Sequence, residues 1–176
     1  MKPPCPGPQD LSVISGFVTP GSDLLPPHPL DASVTVAILD PTEADEPVRI
    51  VRTSDPFVVQ VEWCICGPFA AVVEGCWALS VYMDDIDGVA PFHGLLRSAT
   101  VDVESAPAPD TPDDSLGVTR CYDRRFDVPA GTVGAGVYSL VVVITLATGT
   151  CENPGPVVGD FLGYAQIPVL VFLQED

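Results

Sequence analysis

The sequence predicts an all-β protein, an antiparallel β-sandwich of about eight or nine short strands. Three observations carry that expectation. Apolar residues alternate with a period of two through most of the chain after Asp31. No comparable stretch has helical spacing. The 20 Pro and 15 Gly interrupt most windows of helix length. Because successive side chains on a strand point to opposite faces, each alternating row marks one buried face.

The rows follow in chain order. Val34, Val36 and Ile38 mark a first strand, and Val48 and Ile50 begin a second that ends at Ser54-Asp55-Pro56. Phe57, Val59, Val61, Trp63 and Ile65 form the next face, opposite Val58, Gln60, Glu62, Cys64 and Cys66. Trp77, Leu79, Val81 and Met83 form another. Tyr122, Phe126 and Val128 come next, then Tyr138 through Leu146, and finally Ile167, Val169, Val171 and Leu173. Val141 to Ile144 is apolar on both faces, which suits a central strand shielded from intermolecular pairing.

Residues 1–30 read as a Pro-rich N-terminal arm, with Pro at 3, 4, 6, 8, 20, 26, 27 and 29 and one plausible strand from Leu11 to Val18. An extended arm lying over a surface, its own or a neighbour's, is expected. Residues 31–176 read as a single sandwich domain, long enough to bury a core without metals or staples.

Charge narrows the function. Against 24 Asp and Glu stand 7 Lys and Arg, a net charge of −17, and Lys2 is the only lysine. Such a chain is repelled by nucleic acid phosphates and by anionic lipid. The mean hydropathy of +0.33 argues against disorder throughout. The best apolar run, Val137 to Ala147, is too short for a membrane-spanning helix, which needs about 20 residues. The first residues carry no apolar segment of the secretory type, so a cytoplasmic location is expected, with export as part of an assembly left open.

One stretch carries a fold-level resemblance. Val128-Pro129-Ala130-Gly131 followed by Gly136-Val137-Tyr138-Ser139-Leu140 resembles the corner between strands E and F of immunoglobulin-like sandwiches. There a Tyr near the start of strand F bonds back to the backbone a few residues upstream. Trp63 and Trp77, expected on adjacent strands, fit the aromatic core of that fold. Leu140 stands where antibody domains place the second Cys of their inter-sheet disulfide. The resemblance implies an immunoglobulin-like sandwich and no particular activity.

Few residues offer chemistry. The six cysteines (5, 64, 66, 76, 121 and 151) read first as free, half-buried thiols that pack as small hydrophobes. A disulfide such as Cys64–Cys76 is the second reading, and a zinc site of Cys64, Cys66, Cys76 and His93 the third. Asp84, Asp85 and Asp87, followed by Gly88, form a candidate calcium site at a strand end, without the spacing of an EF-hand. A turn solvated by its own Asp residues is the plainer reading. Nucleophile elbows, phosphate-binding Gly loops and H-E-x-x-H motifs are absent, and the two His are far apart in sequence. The chain is therefore expected to be no enzyme and to need no cofactor.

The informative feature is apolar content where connections are expected. Gly67–Gly75 contains Phe69, Val72 and Val73; Gly155–Tyr164 contains Phe161, Leu162 and Tyr164. Exposed apolar loops mark partner sites, whereas the alternative is that both plug an open end of the sandwich. The expected function is that of a non-catalytic structural or interaction protein. It self-assembles or docks onto a larger assembly through protein contacts at its arm and apolar loops, with no nucleic acid and no membrane insertion. A calcium- or carbohydrate-binding module, with Tyr82 or Trp77 as a stacking surface, is the alternative.

Overall fold

The computed structural model of the chain describes residues 14–19, 30–41, 46–86, 88, 92–106 and 118–174. Ten strands lie among them: β1 (Ile14–Val18), β2 (Asp31–Asp40), β3 (Glu46–Pro47), β4 (Ile50–Arg52), β5 (Phe57–Gly67), β6 (Cys76–Asp85), β7 (Gly94–Asp102), β8 (Val118–Val128), β9 (Gly136–Gly149) and β10 (Pro154–Leu173). One sheet has the order β1-β10-β9-β6-β7, with β4 also on β10; the other has the order β3-β2-β5-β8. Every pairing is antiparallel except β4 on the end of β10.

Most of the apolar rows lie where alternation places them, between the sheets; the row begun by Val48 and Ile50 does not, since Ile50 is exposed and Val51 is the buried residue of β4. Val34, Val36 and Ile38 of β2 and Val59, Val61, Trp63 and Ile65 of β5 face Trp77, Leu79, Val81 and Met83 of β6 and Leu140, Val142 and Ile144 of β9. Burying one such aliphatic side chain contributes about 1.5–3 kcal/mol, so these rows dominate the folding free energy. β9 lies between β6 and β10, as the doubly apolar Val141–Ile144 requires.

The fold is immunoglobulin-like. β2, β5 and β8 form one layer while β7, β6, β9 and β10 form the other, the two-layer order of that sandwich. The corner between β8 and β9 is closed by the Tyr138 hydroxyl, which donates to the Gly134 carbonyl at 3.1 Å. Trp63 and Trp77 sit on facing sheets, not on neighbouring strands of one sheet, and meet edge to face at 6.3 Å. Tyr122 of β8 stacks on Trp63 at 5.2 Å, and its hydroxyl donates to the Val103 carbonyl at 3.0 Å. This aromatic cluster bridges the two layers.

Three expectations need correction. The final row is not Ile167, Val169, Val171 and Leu173. Ile167 is buried, but Leu170 and Phe172 follow it inward while Val169 and Leu173 are about half exposed. A register shift between Ile167 and Leu170 reverses the parity at Pro168, which has no N–H to give the ladder. Gly155–Tyr164 is not a connection but the first part of β10, itself irregular in register on β9. The favoured thiol reading fails as well, because no described cysteine is free. Cys64 pairs with Cys121, its opposite number across β5 and β8, and Cys76 with Cys151 in the turn between β9 and β10. Cys66 is also disulfide-bonded. With these sulfurs oxidised, neither a Cys64–Cys76 bridge nor a zinc site of three thiolates exists.

Of the expected arm, Ile14–Val18 forms a strand against Leu162–Gln166 of β10. The Thr19 hydroxyl donates to the Leu30 carbonyl at 2.8 Å, tying the end of β1 to the start of β2. Residues 1–13 and 20–29 lie outside the described residues.

Candidate functional site at the apolar end

Four of the six apolar residues singled out in the sequence come together at one end of the sandwich. Phe69, Val72, Val73 and Phe161, with Leu30, Leu146 and Val158, line an open pocket of about 390 Å³ with Glu74 at its rim. Each of the two sequence readings holds for part of the set. Val73 and Phe161 are buried, Phe161 meeting Trp77 edge to face at 6.1 Å, and so close the end of the core. Phe69 and Val72 project, at 57% and 71% exposure.

The chain between β5 and β6 is held in place at both ends. Gly67 and Gly75 take φ of 129° and 130°, backbone that favours glycine. A Cβ on Gly75 would lie 2.3 Å from the Ala147 carbonyl oxygen, so the backbone passes too close to β9 for any side chain. Ala70–Val72 forms a single 3-10 turn anchored by the fully buried Ala70. Arg120 of β8 reaches under the turn, its guanidinium donating to the Ala71 and Val73 carbonyls at 3.1 Å each. Oxidised cysteines stand on either side, Cys64 and Cys66 before the loop and Cys76 after it. The exposed apolar tips are therefore carried on a fixed backbone, and little ordering entropy remains to be lost on binding.

Leu162 and Tyr164 lie elsewhere. They alternate with Phe161 and Gly163, so they face outward on the first sheet, at 41% and 42% exposure. The Tyr164 ring lies across Gly16 of β1, where a Cβ would approach it to 2.8 Å. Sequence reasoning grouped all six residues because it read a loop where the chain runs as a strand, whose two faces separate neighbours.

The acidic candidates occupy the opposite end of β6. Asp84 and Asp85 are consecutive on the strand and point to opposite faces, and Asp87 lies outside the described residues. Asp84 pairs with the His93 imidazole Nδ1 at 2.5 Å, both largely exposed. Among the described residues no group of three or more His, Cys, Asp or Glu is arranged to hold a metal ion. Trp77 is fully buried and offers no stacking surface; Tyr82 is 42% exposed. Among the described residues the displaced acid–base group is Tyr122, whose phenol is pushed above its ordinary value of 10.0 by burial.

No protein-family model matches the chain, and no curated protein matches it. Solved structures do resemble it. One is the CARDB domain of a Pyrococcus furiosus protein in complex with di-metal ions, with 13% identity over 82% of this chain and 89% of that one, and a TM-score of 0.44. Another is a beta-glucosidase from Listeria innocua in complex with glucose, with 11% identity over 81% of this chain and a TM-score of 0.41. This chain spans only 16% of that enzyme's length. At such identities and scores neither the metal ions nor the glucose bears on the present chain. Among the described residues no helix is long and apolar enough to cross a membrane.

Proposed function

We propose that this chain is a non-catalytic structural or interaction protein. It is a β-sandwich subunit that docks onto a larger protein assembly through its apolar end, with the Pro-rich arm available to the same contact. The observation that carries the proposal is the pairing of exposure with rigidity. Phe69 and Val72 stand out around an apolar pocket on a loop fixed by Arg120, by two glycines and by disulfides on both sides. Interface energy concentrates in apolar anchors seated in well-packed pockets, and a pre-organised loop spends little of it on ordering. A chain with net charge −17 repels other acidic proteins, so its contacts rest on such local apolar features.

The reading also places the protein in an oxidising compartment or outside the cell, in place of the cytoplasm expected from the first residues. Disulfides persist where thiols are not kept reduced. Chemistry at His93 has no part in this reading, since its ring is exposed and paired with Asp84 at a strand end away from the pocket.

The test is site-specific photocrosslinking in the native host, with a benzophenone side chain at Val72 and a control at Glu62 on the outer face of the other sheet. One dominant protein adduct at position 72, lost when Phe69→Asp is added, is the expected result. Adducts at position 72 no stronger than those at position 62 would sink the proposal.

A further inference from the structure

Among the described residues, the outer face of the β1-β10-β9-β6-β7 sheet carries no charge over its central rows, in a protein with 24 acids. Three rows cross it. Leu162, Thr145, Ala78 and Thr100 are in register on β10, β9, β6 and β7. Tyr164, Val143, Ser80 and Ser98 form the next row, and Gln166, Val141, Tyr82 and Leu95 the third. The opposite face of the molecule is charged, with Glu62 beside Asp123, and Arg125 and Asp127 farther along β8.

From this contrast we infer that the uncharged face is a symmetric interface with a second copy of the chain. Self-complementarity decides the occupant. β9 runs up the middle of the face, with β10 on one side and β6 on the other. A two-fold axis along β9 lays β10 of one copy over β6 of the second. In every row that sets a large side chain against a smaller one: Leu162 over Ala78, Tyr164 over Ser80, and Tyr82 over Gln166. Tyrosines serve well in this position, with large contact area and few rotamers to freeze.

Charge agrees with this occupant. Sheets packed face to face lie about 10 Å apart, which leaves both acidic outer faces turned away from each other across two sandwich layers, well beyond a Debye length of about 8 Å. Five strands at about 4.8 Å spacing and five residues along each, the length of β1, give a footprint of about 400 Å² per copy, or about 800 Å² for the pair. That is below the roughly 1,000 Å² of a stable specific contact, so the dimer is weak and forms only at high concentration. The interface does not involve the apolar end, which remains open in the dimer.

Sedimentation velocity of the full chain, from 10 µM to 1 mM in 0.05 and 0.5 M NaCl, tests the inference. A reversible dimer is expected that tightens several-fold at the higher salt, as screening removes the repulsion between two acidic copies. Tyr82→Glu and Tyr164→Glu should each abolish it, and Val72→Asp should leave it unchanged. Ser80→Glu replaces either tyrosine variant that no longer melts cooperatively. A chain that stays monomeric at 1 mM in 0.5 M NaCl overturns the inference. So does a dimer that survives the glutamate variants, whether or not Val72→Asp breaks it; a dimer broken by Val72→Asp alone assigns self-association to the apolar end.

Discussion

Removing the Cys76–Cys151 bridge tests at once how the fold is held and how the apolar loop is fixed. The two residues are 75 apart in sequence. Closing a loop of that length removes denatured-state entropy worth about 4.5 kcal/mol at 25 °C in the chain-entropy account. For a domain of this size each kcal/mol is about 2–4 °C in melting temperature, so Cys76→Ala/Cys151→Ala should melt about 9–18 °C lower. The Cys64–Cys121 bridge, spanning 57 residues, should cost nearly as much when removed, about 4 kcal/mol. Guanidinium denaturation without reductant gives both values. Hydrogen exchange then separates the variants, because only loss of the Cys76 anchor frees the loop directly at its junction with β6. Amides of 69–73 should exchange faster there by more than the global destabilisation explains. A double variant with the wild-type midpoint would refute the reasoning, as would titratable thiols from positions 64, 76, 121 or 151 in unfolded, unreduced protein.

Three further outcomes follow from the same geometry. Gly75→Ala places a methyl against the Ala147 carbonyl at a φ that alanine resists, and should cost about 2–4 kcal/mol in denaturant titrations. Arg120→Met keeps much of the stem but loses the bonds to Ala71 and Val73; about 1–2 kcal/mol should be lost, with faster exchange confined to the 69–73 turn. Tyr122, an acid whose phenol is raised in the folded state, contributes stability that is whole below pH 10 and is lost as pH rises through the folded value. Melts at pH 9 and 11 should therefore show a drop that Tyr122→Phe reduces, and an equal drop in both proteins would disprove the assignment.

Much of the architecture was legible because a half-buried strand writes its burial into alternate residues. The faces of β2, β5, β6 and β9 followed directly, as did the corner at Tyr138, where a short turn signal precedes a strand. β7 was missed because Leu96, Ala99 and Val101 do not alternate cleanly; a bulge against Val81 and Tyr82 shifts their parity. The same physics at Pro168 inverted the reading of the end of β10. Disulfide partners depend on which strands become neighbours, and Cys121 reaches Cys64 only through the β5–β8 register that also stacks Tyr122 on Trp63. Within the candidate site, the apolar content was visible in sequence. The division between Phe161, turned inward, and Leu162 and Tyr164, turned out, depended on recognising a strand.

The prolines of β10 bear on a hazard that sandwiches share. Its free side is covered antiparallel by β1 over Leu162–Gln166 and parallel by β4 over Val171–Leu173, two partners on one edge with a gap between them. Pro168 lies in that gap, and Pro154 and Pro156 lie in the part of the strand before β1 begins. None of the three can supply an N–H to a strand that pairs there. Many proteins keep intruders off such edges with lysine, of which this chain has one. Proline thus guards the uncovered parts of β10 without adding charge.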